Sequence, residues 1–234
     1  EIPGYLVKHV PFAFAGDPFQ TLNPTGFNWS TMQSSFHDNI VQKLDPTGSA
    51  KLEFNFQELA YNYRSSEHIV KLANLVQLLR AVLLGIKGLK PQQCWTYKST
   101  GSPVWFRRDD AQYQAALRDQ EELVIIVPCQ ENGEIEYVEN DPFLKSVAIQ
   151  NGEISRNILS PARAKGLEYD RVLLYGFGDE SISRLSDLLD QIGDPVQEPP
   201  EIEQRLAWEY FLNQFFVAVS RARKRLFIVE SCKA

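Results

Sequence analysis

The side chains best equipped for chemistry in this chain are cations set among small and polar neighbours. Phe211–Ser231, FLNQFFVAVSRARKRLFIVES, carries Arg221, Arg223, Lys224 and Arg225 between a run of helical apolar spacing and one that alternates like a strand. Such a knot can neutralise the dipole at a helix C-terminus. For Arg221, framed by Ser220 and Ala222, it can instead aim a planar guanidinium at a phosphate. Tyr63-Arg64 precedes Ser65-Ser66 and a helical pattern, so ring and guanidinium could serve a base and a phosphate, or could pin the helix to a sheet. Lys165-Gly166-Leu167-Glu168 forms a tight segment between two strand-like runs, which predicts Lys165 and Glu168 at a sheet edge near a cleft. Gly16-Asp17-Pro18 closes the apolar run Val10–Ala15. That placement predicts Asp17 and Gln20 at the carboxyl end of a buried strand, with a plain surface turn as the alternative. Phe27 and Trp29 are either core residues or a face for base stacking.

The elements that must position these groups read as an α/β alternation. A weakly amphipathic helix is expected over Ser30–Lys43, a linker at Asp45–Ser49, and a half-buried strand through Leu52, Phe54 and Phe56. Ser65 or Ser66 is expected to cap a helix carrying Ile69, Leu72, Ala73 and Val76. Gly85–Pro103 reads as loop, Val104–Phe106 as strand, Ala111–Arg118 as helix and Leu123–Val127 as a buried parallel strand. Glu131–Glu134 turns the chain, Phe143–Ile149 is a short element, and nothing in Gln130–Gly152 carries visible chemistry. Strands follow at Asn157–Ser160 and Val172–Tyr175, the second ending in a Gly176-Phe177-Gly178 that weakly resembles a phosphate loop. Glu180–Ile192 reads as helix, Gly193–Pro200 as an acidic loop, and a long helix starts near Glu201.

Composition narrows the function classes. The 234 residues are 44% hydrophobic and 23% charged, a globular balance with room for one large domain or two small ones. No apolar run reaches the roughly 20 residues that span a bilayer, and no signal pattern opens the chain. A cytoplasmic protein is expected, or a nuclear one in a eukaryote, with no membrane partner. Three cysteines and three histidines are scattered without metal-like spacing, so no metal ligands are assigned. A net charge of −6 argues against coating nucleic acid by bulk electrostatics; strand contacts must be local.

Four segments in order carry a family resemblance. GDPFQ at Gly16–Gln20, LAYNYRSS at Leu59–Ser66, SPARAKGLEYD at Ser160–Asp170 and FFVAVSRAR at Phe215–Arg223 resemble motifs III, IV, V and VI of the UvrD/Rep-type superfamily 1 helicases. The resemblance covers most of the chain. It implies RecA-like (P-loop NTPase-like) domains, each a mostly parallel sheet flanked by helices, with ATP and Mg²⁺ in the cleft between two of them and single-stranded DNA across their tops. Carried over position by position, it implies that Gln20 senses the γ-phosphate, Tyr63 stacks on adenine and Arg64 reaches the γ-phosphate from the second domain. Glu168 binds ribose or organises its loop, Arg221 is the arginine finger, and Phe27, Trp29, Ser160 and Lys165 belong to the single-strand track.

The sequence departs from the family pattern in informative places. Ala162 stands where motif V usually has His, and Asn23-Pro24-Thr25-Gly26 intrudes before any aromatic that could follow motif III. Only roughly ninety residues separate motifs IV and V, about what a RecA-like domain itself uses, so no large inserted 2B domain is expected. No Gly-x-x-x-x-Gly-Lys-Ser/Thr occurs anywhere, and no acidic motif II. The chain begins at Glu1 without Met, so the expectation is the C-terminal part of a motor. Residues 1–49 are then a remnant of domain 1A, 50–234 are domain 2A, and the upstream part of domain 1A is a partner in the same polypeptide. Such a piece would keep no nucleotide bound and would neither hydrolyse ATP nor unwind a duplex alone. Three alternatives stand beside this reading: a non-catalytic helicase-like binding module, another kind of nucleotide-binding α/β enzyme, and a motor directed to RNA.

Overall fold

Continuous apolar runs along the central strands dictate a sheet covered on both faces. In a computed structural model, the described residues are 16, 17, 20, 22, 34–35, 37–44, 46–47, 59–84, 90–95, 101–110, 122–150, 153–154, 157–178 and 202–230. Five of their strands form one all-parallel sheet: β3 (Val104–Arg107), β4 (Leu123–Ile126), β7 (Ile158–Leu159), β8 (Tyr169–Tyr175) and β9 (Ala222–Glu230), in the order β3-β9-β8-β4-β7. Successive side chains point to opposite faces, so the inner strands feed two cores, while the edge strand β3 turns Phe106 into one of them and leaves Trp105 exposed. Val124, Ile126, Val172, Leu174, Leu226 and Ile228 pack on one side. Leu123, Ile125, Leu173, Tyr175 and Val229 pack on the other. A strand buried on both faces needs a continuous apolar run, which is what LVII at β4 supplies.

Helices close both faces. Against the first lie α1 (Glu67–Leu84), the short α4 (Pro161–Ala164) and α5 (Ile202–Val219), through Ile69, Ala73, Val76, Ala164, Leu212, Phe216 and Val219. Against the second lie α2 (Glu134–Asn140) and α3 (Pro142–Ala148), through Val138, Leu144, Val147 and Ala148. The chain is therefore α/β, with a parallel sheet between helical layers. Two small ribbons complete the described strands: β1 (Tyr61–Asn62) parallel to β2 (Gln93–Cys94), and β5 (Ile149–Gln150) antiparallel to β6 (Glu153–Ile154). Among the described residues, no helix is long and apolar enough to cross a membrane.

Several elements differ from the sequence expectation for local reasons. Helix α5 stops at Val219, so Ala222 opens β9, and Arg223, Lys224 and Arg225 ride the exposed start of a strand. Part of Gly85–Pro103, expected as loop, forms β2, because the Gln93 amide donates to Ala60 O at 2.7 Å and that of Trp95 to Asn62 O at 3.0 Å. Two residues are too few for alternation to register. The turn at Glu131–Glu134 leads straight into α2, and Phe143–Ile149 is mostly the helix α3. Of Ser30–Lys43, the described part is helical and includes a π turn at His37–Val41. The runs expected at Val10–Ala15, Leu52–Phe56, Ala111–Arg118 and Glu180–Pro200 lie outside the described residues.

Candidate functional site

Arg221 is the bulkiest fully buried side chain among the described residues, at 1% exposure. Its surroundings are mostly neutral oxygens. Nε donates to Val217 O at 3.0 Å, Nη1 to Leu167 O at 3.2 Å, and Nη2 to both Ser220 Oγ at 2.8 Å and Gln20 Oε1 at 3.3 Å. The first bond takes a carbonyl at the end of α5, so the helix-capping role of this cation is real. The others reach the segment before β8 and, across two hundred positions of sequence, Gln20. Burial lowers the guanidinium's pKa below its ordinary value, and the nearby charge of Arg64 lowers it further; Glu168, Asp17 and Tyr169 act in the opposite direction. An arginine starts so high that it stays charged at neutral pH.

Arg64 comes to the same place from a different element. Asn62 Oδ1 accepts from the amides of Arg64 at 3.0 Å and Ser65 at 2.9 Å, an Asx turn that ends β1. Ser65 Oγ then donates to Ala222 O at 2.7 Å, and the Ser66 amide to Arg223 O at 2.9 Å. These bonds fasten the segment to the start of β9. The expected serine cap takes a different form, since Ser65 Oγ is spent on Ala222 and Ser66 Oγ has no partner among the described atoms. With the backbone fixed, Tyr63 and Arg64 project outward. The ring of Tyr63 is 63% exposed, and Arg64 Nε pairs with Glu168 Oε1 at 2.5 Å.

Glu168 is delivered by the crossover from β7 to β8. Ser160 caps α4, its Oγ accepting from the Arg163 amide at 3.4 Å, and Gly166 at φ +82° reverses the chain. The Tyr169 amide donates to Arg221 O at 3.0 Å, which locks the start of β8 to the start of β9. Arg64, Glu168, Arg221 and Gln20 thus meet at the amino ends of β8 and β9. The carboxyl end expected for Gln20 concerned a strand outside the described residues; its contact with this sheet is at the opposite end. Asp17 accepts from Gln20 Nε2 at 3.0 Å, and its charge is felt by Arg80 of α1 as well as by Arg221.

Other expected site residues fall elsewhere. Ser160 has no exposure and is consumed by its cap, so its side chain offers nothing to a nucleic-acid strand. Lys165 is exposed beside Gly166. Phe27 and Trp29 lie outside the described residues. At Gly176-Phe177-Gly178 the Gly178 amide already donates to the carboxylate of Glu230 at 2.7 Å, which occupies that amide with the chain's own anion in place of a phosphate. The other cations after Arg221 are surface charges, with Lys224 on Asp170 at 2.5 Å and Arg223 on the same carboxylate at 3.7 Å.

Two residues escaped the sequence reading. Glu134, in a stretch read as chemically silent, is buried and accepts from the Ser160 amide at 3.0 Å while facing Arg163 at 3.7 Å. Trp95, in a stretch read as loop, stands 5.0 Å from Tyr63 between ring centroids. A Glu in the first turn of a helix was the available signal for Glu134; for Trp95 there was only an aromatic among Gly, Lys and Pro. Among the described residues, no group of three or more His, Cys, Asp or Glu could hold a metal ion. No protein-family model matches the chain, and no curated protein matches it by sequence.

Proposed function

We propose that this chain is the second RecA-like half of an ATP-dependent superfamily 1 helicase or translocase of UvrD/Rep type, acting on single-stranded DNA. The observation carrying the reading is convergence. Gln20, Arg64, Glu168 and Arg221 come from four separate segments and gather around one polar patch. A parallel sheet covered by helices on both faces agrees with a RecA-like domain. The residues suit a nucleotide: two guanidiniums for phosphate oxygens, a carboxylate for ribose, an exposed ring for the base. Bound ATP supplies the phosphoryl group that is transferred to water. The phosphate loop and the Mg²⁺ ligands come from another RecA-like domain, since this sequence has no Gly-x-x-x-x-Gly-Lys-Ser/Thr.

Nucleotide binding would ask little rearrangement of this site. Arg64 gives Nε to Glu168 and could turn its Nη donors to a phosphate, with or without releasing that carboxylate. An ion pair this exposed is worth about 0–1 kcal/mol, so the release costs little. Arg221 has four of its five N–H donors engaged, and a phosphate oxygen taking the place of Gln20 Oε1 would accept the same Nη2 hydrogen. Gln20 then becomes the residue that reports the exchange to the segment around Asp17.

The test is ATP binding by the chain at millimolar nucleotide, followed by NMR, for wild type, Arg64→Ala and Arg221→Lys. Loss of one charged contact should weaken binding about 10-fold or more. Binding unchanged in both variants refutes the assignment. One observation favours a non-catalytic helicase-like module instead, namely that Arg221 spends its donors inside the fold; a protein that joins this chain to a RecA-like domain with an intact phosphate loop and still hydrolyses no ATP would support that module.

A further inference from the structure

The exposed rings around Tyr63 form a surface that the core does not need. Tyr61 lies on β1 and Tyr63 on the Asx turn that ends it, and the two rings face one another across that turn. Trp95 joins them from β2, with centroids 5.0 Å from Tyr63 at 41° and 5.4 Å from Tyr61 at 87°; the two tyrosines are 6.5 Å apart. All three remain open to water, Tyr61 at 43%, Tyr63 at 63% and Trp95 at 56%. Their backbone, in contrast, is firmly held. Asn74 of α1 clasps Gln92 twice, Nδ2 to Gln92 O at 2.9 Å and Oδ1 from the Gln92 amide at 3.0 Å. Cys94 Sγ donates to Ser65 O at 3.4 Å, and Asn62 Nδ2 to Gln92 Oε1 at 3.2 Å. A rigid mount for three exposed rings is what a stacking platform requires, because little side-chain freedom is left to lose on binding.

The charge beside the rings selects the occupant. Arg64 follows Tyr63 directly and pairs with Glu168, so a flat apolar surface adjoins a guanidinium and a carboxylate. A purine nucleotide matches all three, with its base on the rings and its phosphates toward Arg64. We infer that Trp95 is a positioning residue for the base: its indole covers one side of Tyr63, sets the tilt of that ring and leaves the other face to the purine. The inference rests on the nucleotide reading above and adds to it the residue that shapes the base subsite.

The chain is titrated to millimolar concentrations with ATP and, separately, with inorganic tripolyphosphate, which has the phosphates and no base. Binding is followed by NMR and by tryptophan emission. Trp95 is one of four tryptophans, so the difference between wild type and Trp95→Phe isolates its signal. That signal should change with ATP and stay constant with tripolyphosphate. Trp95→Ala should weaken ATP about 5-fold, at the foot of the range for a ring stacked on a base because Trp95 acts through Tyr63, and leave tripolyphosphate within about 2-fold. Trp95→Phe should restore ATP binding to within about 2-fold. Equal weakening of both ligands in Trp95→Ala overturns the inference, because that ring would then serve the fold. If Trp95→Ala binds ATP like wild type while Arg64→Ala weakens both ligands, the role of Trp95 falls and the nucleotide reading stands. If wild type binds neither ligand, or Arg64→Ala changes nothing, both fall together.

Discussion

Removing the Glu134 carboxylate should cost more than any surface substitution, although sequence alone marked its neighbourhood as silent. Its Oε1 accepts from the Ser160 amide at 3.0 Å, and Ser160 has no exposure, so water cannot replace the lost acceptor. A buried donor left without its charged partner costs about 1.5–3 kcal/mol. Arg163 faces the other oxygen at 3.7 Å but is half exposed, so that pair adds at most about 1 kcal/mol. Glu134→Ala should therefore lose about 2–3 kcal/mol, roughly a 1 M drop in the urea midpoint for a domain of this size. Glu134→Gln, which keeps an acceptor, should lose about 1 kcal/mol.

The same residue gives a pH signature. Burial pushes the Glu134 carboxyl upward, but hydrogen bonds from Ser160 and from its own amide, with the charge of Arg163, outweigh it and hold the group below its ordinary 4.5. A depressed folded pKa means that the stabilisation is complete above the unfolded value and is lost as pH falls through the folded one. The gap between wild type and Glu134→Ala should stay level from pH 7 to about 5 and narrow below about 4.5. Urea unfolding across that range measures it. A midpoint unchanged by Glu134→Ala, or a gap that widens on acidification, refutes the reasoning.

Two further substitutions test other parts of the fold, and both are read in urea midpoints. Tyr175→Phe deletes the Oη donation to Asp141 at 2.8 Å beneath Phe143 and Arg108, and should cost about 1 kcal/mol while leaving ATP binding unaltered; weakened ATP binding would show that the carboxyl end of the sheet is coupled to the site. Gly166→Ala adds a Cβ that meets nothing within 4 Å, so the φ of +82° alone should cost about 1 kcal/mol. A neutral result there would mean that the turn relaxes to another conformation.

Glu134 and Arg221 do related work at opposite ends of one crossover. Glu134 holds the amide of Ser160 where the chain leaves β7, and Arg221 holds the carbonyl of Leu167 just before β8 begins. Between them α4 and the Gly166 turn place Glu168 against Arg64. The ion pair at the surface is weak by itself. Its position is set by two buried, charged hydrogen-bond networks that cost far more to break.

Apolar periodicity was enough to determine the layers. The continuous apolar runs of β4 and β8 state that both their faces are buried, and the alternation that opens the apolar part of β9 and the repeat through Ile69, Ala73 and Val76 state which face is, because burial selects side chains residue by residue. The residue types at Arg64, Glu168 and Arg221 likewise nominated themselves, as charges beside small residues and turns. Only the tertiary structure decided that they meet, and at which end of the sheet. It also decided that Ser160 is buried, that Glu230 fills the amide of Gly178, and that Glu134 and Trp95 belong beside the candidate residues. Each of these rests on a contact between segments far apart in sequence. Such contacts are fixed by strand order and crossover path, which a one-dimensional pattern of hydrophobicity does not encode.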